Sequence, residues 1–288
     1  MSAAAPANGQ GPLAIICGGG SLPAAIADSV TARGRAVLLF PLRGAADSAG
    51  VMRYPHHWLY VGQGGKFKRL ARAAGCTDVV LIGAMVRPAL WQMRPDFRTL
   101  LYLPRIMAAF RGGDDHLLSS IGGIFGEHGF HLRGAHEVAP EILMPEGQLG
   151  QELPSEANRA DIALGFAFLH AAAPFDVGQA VVVAGRHVLA VEAAEGTDAM
   201  LARVAEMRAK GRVPRIAGVL VKAPKHGQDR RFDLPSIGPQ TVKAAAEAGL
   251  CGIAVLAGST IVAEPGEMIA AANRAKLFVI GASPETQQ

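Results

Sequence analysis

Short uninterrupted apolar runs alternate with segments of helical period through the N-terminal part of the chain. Leu13–Cys17 is one such run, and it leads directly into Gly18-Gly19-Gly20-Ser21-Leu22-Pro23. A helix is predicted over 23–33 and a buried strand over 35–40. Residues 58–61 read as a further strand, 66–74 as a helix stopped by Gly75, and Asp78–Ile82 as a third buried strand. Strands separated by helices of this length are βαβ units, which predict a parallel, Rossmann-like sheet.

Downstream the pattern changes. Residues 87–110 predict a helical stretch rich in aromatics, Met and Arg, interrupted by Pro88, Pro95 and Pro104. Gly112-Gly113-Asp114-Asp115 predicts a new helix, its aspartates favourably placed at the N-terminal turn. Residues 130–138 read as a strand, and the Pro- and Gly-rich 140–154 as an interdomain linker. A helix follows over Glu156–Ala172, then strands at 180–183 and 187–193 joined as a hairpin across Gly185-Arg186. A helix at 197–210, a strand at Gly218–Lys222, a polar loop at 225–239 and a helix at 241–248 come next. Segments 253–256, 259–262, 268–276 and 277–280 complete a smaller α/β domain. The fold class is therefore α/β with two α/β domains, 1–139 (of which 1–11 is a flexible tail) and 140–288.

Composition narrows the classes. The net charge is +4 over 288 residues, too balanced for a nucleic-acid-binding or disordered chain. Cys17, Cys76 and Cys251 are too few and too scattered for a disulfide framework or a zinc site, and predict reduced thiols in the cytosol. The N-terminal MSAAAPANGQGP has no basic residue and no apolar core, so it does not read as a signal peptide. No apolar run reaches the ~20 residues that span a bilayer.

Four motifs carry candidate chemistry. The strand–Gly18-Gly19-Gly20–helix junction, continuing through Ser21 and Leu22, suits a phosphate cradle of backbone N–H groups at a helix N-terminus, or else is a tight turn. It is neither GxGxxG nor a P-loop. The next strand runs into Phe40-Pro41-Leu42-Arg43 without the acid a nicotinamide dinucleotide needs. Residues 61–70 (VGQGGKFKRL) open a helix with Gly64, Lys66, Lys68 and Arg69, cations that reach a diphosphate or form a solvated face. Glu192, Glu195 and Asp198 fall within seven residues around a strand end, where oxygen ligands can hold Mg²⁺ and where Thr197 or Asp198 starts a helix.

Residues 221–241 pack Lys222, Lys225, His226, Gln228, Asp229, Arg230, Arg231 and Asp233 between stiffening prolines and glycines. Cations to neutralise phosphate oxygens and acids to bind metal or orient water suit hydrolysis of a phosphoanhydride, or else the segment is a structural ion-pair loop. His56, His57, His116, His128, His131 and His136 show no metal spacing. The interleaved Arg and apolar residues of 87–111 fit a membrane-surface helix, an acyl lid or a buried interface.

The stretch KAPKHGQDRRFDLPSIGPQTV, preceded by AVEAAEGTDAM and by IICGGGSLP, resembles the LpxI-type UDP-2,3-diacylglucosamine pyrophosphatases. The similarity covers nearly the whole chain and includes VGQGGK, VRP and GGDDHLL. The resemblance implies a nucleotide-binding N-terminal domain and a C-terminal domain for the acylated sugar phosphate, with the active site between them. It implies Mg²⁺-dependent cleavage of UDP-2,3-diacylglucosamine to UMP and 2,3-diacylglucosamine 1-phosphate (lipid X), a step towards lipid A. It implies Asp229 as the key aspartate and a homodimer. It also implies a cytoplasmic protein touching the inner membrane surface. The chain has Lys225-His226-Gly227-Gln228-Asp229 where the family pattern has Lys-Pro-Gly-Gln-Asp, a change that removes no charged group.

Combining both readings, Gly18, Gly19, Gly20, Ser21, Leu22, Gly64 and Lys66 are expected to hold the UDP half, with Thr197 and Arg230 as further substrate contacts. Lys222, Lys225 and Gln228 are expected to act on the phosphoryl group. Asp229, with Asp233, Glu192, Glu195 or Asp198, is expected to carry the metal. The rivals are a UDP-sugar transferase or epimerase and a non-catalytic nucleotide-sugar or lipid-binding protein. The missing dinucleotide acid argues against the epimerase.

Overall fold

The computed structural model describes residues 11–84, 94–102, 114–175, 177–213, 216–225, 229–231 and 234–283. The chain forms two compact units. The first is Met1–Glu141 with Asp229–Asp233, and the second is Ile142–Gln228 with Leu234–Gln288.

In the first unit the order is β1 (Leu13–Cys17), α1 (Leu22–Ala32), β2 (Val37–Pro41), α2 (Ser48–Val51), α3 (Gly64–Ala73), β3 (Asp78–Ile82), α4 (Phe97–Leu100), α5 (Asp114–Glu127), β4 (His131–Leu132) and α6 (Ala135–Val138). The described strands make one parallel sheet in the order β2-β1-β3-β4. β1 and β2 are buried nearly throughout, as parallel strands covered on both faces must be. On one face Phe67 and Ala71 of α3 pack with Phe40, Val79 and Phe130. The Phe40 and Phe67 rings meet edge to face at 4.7 Å.

In the second unit the order is β5 (Gly147–Leu149), α7 (Glu156–Ala172), β6 (Ala180–Ala184), β7 (His187–Val191), α8 (Thr197–Ala209), β8 (Gly218–Lys222), β9 (Ser236–Ile237), α9 (Pro239–Glu247), β10 (Leu250–Leu256), β11 (Ile261–Val262), α10 (Pro265–Ala275) and β12 (Phe278–Ala282). Its main sheet runs β5-β12-β10-β8-β6-β7, parallel through β12-β10-β8 and antiparallel at both sides. Met200, Leu201, Val242, Met268 and Ala272 of α8, α9 and α10 cover one face. Ile162, Phe166 and Leu169 of α7 cover the other. Among the described residues its main sheet has six strands against four in the first unit.

Three local expectations are corrected. Residues 58–61 form no strand; Leu59 makes an isolated bridge with Leu42, just past β2. The Leu59 N–H donates to Pro41 O at 3.0 Å and the Arg43 N–H to Leu59 O at 2.8 Å, but Pro41 has no N–H with which to extend the ladder. Residues 130–138 make two strand residues and then a helical turn, because Glu137 Oε2 accepts the Gly134 N–H at 2.6 Å and caps it. Residues 140–154 are not a bare linker, since β5 pairs antiparallel with β12. The helical reading of 87–110 lies largely outside the described residues, which show only the single turn α4 there.

The entry of β3 is held by ions. Asp78 is 7% exposed, and its carboxylate meets Arg35 Nη2 at 2.7 Å and Arg133 Nε at 3.2 Å. Burial pushes its pKa up, but the hydrogen bonds and charges of Arg35 and Arg133 outweigh burial and hold it below the ordinary value. A carboxyl depressed on folding stabilises above its unfolded pKa and loses that contribution as pH falls. Removing one partner of such a pair leaves its charges uncompensated, so Asp78→Ala is expected to cost about 3 kcal/mol in urea unfolding at neutral pH. The gap between wild type and variant should shrink below about pH 4. A gap independent of pH there would contradict the assignment.

Candidate active site

The glycine junction divides by function. Beyond β1 the backbone stays paired with the end of β3: the Gly18 N–H donates to Ile82 O and the Gly19 N–H to Ala84 O, both at 2.8 Å. A Cβ on Gly18 would lie 2.6 Å from Ala84 O and 2.7 Å from Gly83 C. These two glycines therefore serve a backbone-to-backbone approach, and their N–H groups are already used. Gly20 differs. Its φ is +86° and a Cβ there would meet nothing within 4 Å. It turns the chain into α1, whose N-cap residue Ser21 makes no side-chain capping bond. Ordinarily a capping side chain satisfies the first-turn donors. Here Gly20, Ser21 and Leu22 leave an electropositive helix start open. It lies at the carboxyl end of β1, between β2 and β3, where strand order reverses and α/β sheets take their ligands.

Beside the exit of β2, the Arg43 guanidinium lies 5.5 Å from the ring centres of both Trp58 and Tyr60, and Arg94 lies 4.4 Å from that of Tyr60. This cation–aromatic stack was not anticipated. The Trp58-x-Tyr60 alternation is its sequence signal.

The second glycine loop is filled by the protein itself. Asp96 Oδ2 accepts the Lys66 N–H at 2.9 Å, and Oδ1 accepts the Thr99 N–H at 2.9 Å and the Thr99 hydroxyl at 2.8 Å. The Gly64 N–H donates to Thr99 Oγ1 at 3.1 Å, and Lys66 Nζ to Trp58 O at 3.1 Å. Burial raises the Asp96 pKa, but hydrogen bonds from Thr99, Lys66 and Gly65 bring it below the ordinary value. Gly64 and Lys66 thus have protein partners where an anion was expected.

In the second unit, Glu192 Oε2 accepts the Gln179 N–H at 2.9 Å, and Oε1 accepts the Thr197 hydroxyl at 2.8 Å. Lys222 Nζ donates to Thr197 Oγ1 at 3.0 Å and to Ser236 O at 3.1 Å, and Lys222 is 7% exposed. Glu192, Thr197 and Lys222 form one chain of hydrogen bonds that fixes a buried ammonium at the end of β8. Glu195 turns instead to Arg203, 2.7 Å away, and Asp198 lies in the first turn of α8. The expected acidic cluster is not assembled. Among the described residues no three His, Cys, Asp or Glu side chains gather as metal ligands. Lys225 is half-buried just beyond β8.

Asp229 groups with the first unit. Arg231 holds both its oxygens: Nε lies 2.9 Å from Oδ1, Nη2 lies 2.6 Å from Oδ2, and the Arg231 N–H donates to Oδ1 at 3.0 Å. The hydrogen bond from Arg231 is the main reason that the Asp229 pKa falls below the usual carboxylate value. Arg230 is exposed. His136, read from sequence as incidental, packs into this corner. Burial and the Arg230 charge lower its pKa, and its Nδ1 is buried without a hydrogen-bond partner. His226, Gln228 and Asp233 lie outside the described residues.

Known proteins match the chain along its length. The LpxI N-terminal domain matches residues 12–142 and the LpxI C-terminal domain residues 145–280. A protein of Caulobacter vibrioides, UDP-2,3-diacylglucosamine pyrophosphatase LpxI, is 43% identical over 275 residues, which cover 95% of this chain and 98% of that protein.

The two glycine roles separate experimentally. Gly18→Ala drives a Cβ into backbone and should cost about 3 kcal/mol or more in chemical denaturation, whereas Gly20→Ala should cost only about 1–2 kcal/mol for its left-handed φ. Equal losses would show that Gly18 is not pinned by β3.

Proposed function

The chain belongs to the LpxI family, and from that premise we propose that it hydrolyses the pyrophosphate of UDP-2,3-diacylglucosamine to UMP and 2,3-diacylglucosamine 1-phosphate, in lipid A biosynthesis. The observation that carries the reading is the 43% identity over 95% of the chain to a pyrophosphatase acting on that substrate.

Cleaving a phosphoanhydride needs charge neutralisation and a positioned water more than covalent chemistry. The helix start at Gly20, Ser21 and Leu22 offers backbone dipoles to phosphate oxygens. Lys222 is preorganised, because Thr197 and the Ser236 carbonyl hold its ammonium before any substrate arrives. Glu192 fixes Thr197 and so acts as a positioning residue for Lys222. Lys225 is a second cation for the same phosphoryl charge. Asp229, kept ionised by Arg231, is the carboxylate that orients the attacking water.

A divalent cation, Mg²⁺ by family resemblance, supplies further charge neutralisation when bound. Mg²⁺ is usually held by one or two carboxylates together with substrate phosphates, so a single carboxylate, Asp229, fits that requirement without a three-acid cage. The acylated substrate resides in a bilayer, so the activity belongs at the cytoplasmic face of the inner membrane. No helix among the described residues is long and apolar enough to cross a membrane.

Mass spectrometry of UDP-2,3-diacylglucosamine incubated with the pure protein in ¹⁸O-water, with Mg²⁺ or with EDTA, tests the reading. UMP and the acylated sugar phosphate should appear with metal only, one of them labelled. Intact substrate under both conditions would overturn the hydrolase reading, and equal turnover in EDTA would remove the metal requirement. Asp229→Asn should lower kcat by roughly 10³-fold with substrate affinity little changed. Near-normal kcat would exclude Asp229 as the water-orienting group.

A further inference from the structure

We infer that the outer face of α3, together with the α4 turn, is a docking surface for an anionic lipid leaflet. α3 is two-faced. Phe67 and Ala71 are buried, while Lys68, Arg69 and Arg72 follow one another on the opposite side, with Arg69 and Arg72 exposed. Arg72 is anchored by a 3.0 Å bond from Nη2 to the His128 carbonyl. Asp96 and Thr99 tie α4 to the start of α3, so the two elements move as one. That tie brings Phe97, 79% exposed, beside the cations, and Leu101 and Leu100 of the same short segment are 69% and 45% exposed. Gly65, Lys66, Lys68, Arg69, Arg72, Asp96 and Phe97 line a single concavity. The carboxylate among them is engaged by backbone N–H groups.

Basic residues that meet headgroups and apolar residues that enter the acyl boundary are the two halves of an interfacial anchor. A polyanion alone gives no reason for exposed Phe97 and Leu101. A second copy related by a two-fold axis would set Arg69 and Arg72 near their own equivalents, against charge repulsion. The surface rests on the proposed substrate for its setting, since a lipid substrate requires an enzyme that visits the leaflet. Vesicle binding is read without turnover, so the two ideas fail separately.

The full chain is sedimented with phosphatidylglycerol-containing vesicles and with pure phosphatidylcholine vesicles. Binding is expected to the anionic vesicles only and to weaken as salt is raised. The combined variant Lys68→Gln, Arg69→Gln, Arg72→Gln should bind roughly 100-fold more weakly, with unchanged thermal unfolding and near-normal turnover of detergent-dispersed substrate. Phe97→Ser with Leu101→Ser should weaken binding roughly tenfold or more. Equal binding to both vesicle types, or wild-type binding by the triple variant, would overturn the inference. So would an apolar variant that binds normally but changes oligomeric state, because a second copy would then own the face. Vesicle binding without hydrolysis would leave the surface standing and sink the proposed reaction. Hydrolysis of dispersed substrate without vesicle binding would do the reverse.

Discussion

Parallel strands covered by helices on both faces send every carboxyl strand end and every following helix start to one edge of the sheet. That constraint organises the chemistry of both units. In the first, the β1 exit opens into α1 at Gly20. In the second, Lys222 closes β8 and Thr197 starts α8, so a strand end and a helix start meet through one hydroxyl. Each unit thereby gains a small, stiff set of polar groups without distorting its core. The rigidity matters because charges aimed before substrate arrives need no reorganisation during reaction.

The two glycine-rich loops look alike in sequence and differ in structure. Gly18 is glycine because the backbone just beyond β3 comes too close for a side chain, and Gly19 because the Ala45 carbonyl does, reasons unrelated to any ligand. The loop before α3 is open in sequence and closed in space, because Asp96, thirty residues away from Lys66, supplies the anion. Of these two loops it is the one at the α1 start, uncapped by Ser21, that leaves first-turn donors without a capping side chain.

What could be read from the chain follows the range of the forces involved. The α7 helix was legible to its ends because Ser155 caps it locally and its apolar period is long. The β6–β7 hairpin was legible because Gly185 and Arg186 both take positive φ in the turn. The strand expected over 130–138 failed because one side chain, Glu137, captured the Gly134 N–H and bent the chain into a helical turn. β5 was invisible because it is an edge strand recruited by β12, a partner far along the sequence. The acids of the 192–198 segment did not gather because Glu192 is taken by Gln179 and Thr197 while Glu195 turns to Arg203. The loop that pairs Asp229 with Arg231 stood out in the sequence as a dense charged segment, and His136 beside it did not, since nothing in its local sequence announces the contact.

The excursion of Asp229–Asp233 into the first unit makes that unit discontinuous in the chain. Its sheet is complete once β4 has been synthesised, but the corner that seats Asp229 against Arg231 and His136 requires a segment made almost a hundred residues later. A chain that ends after β4 therefore carries the described strands of the first unit's sheet but not the segment that bears Asp229.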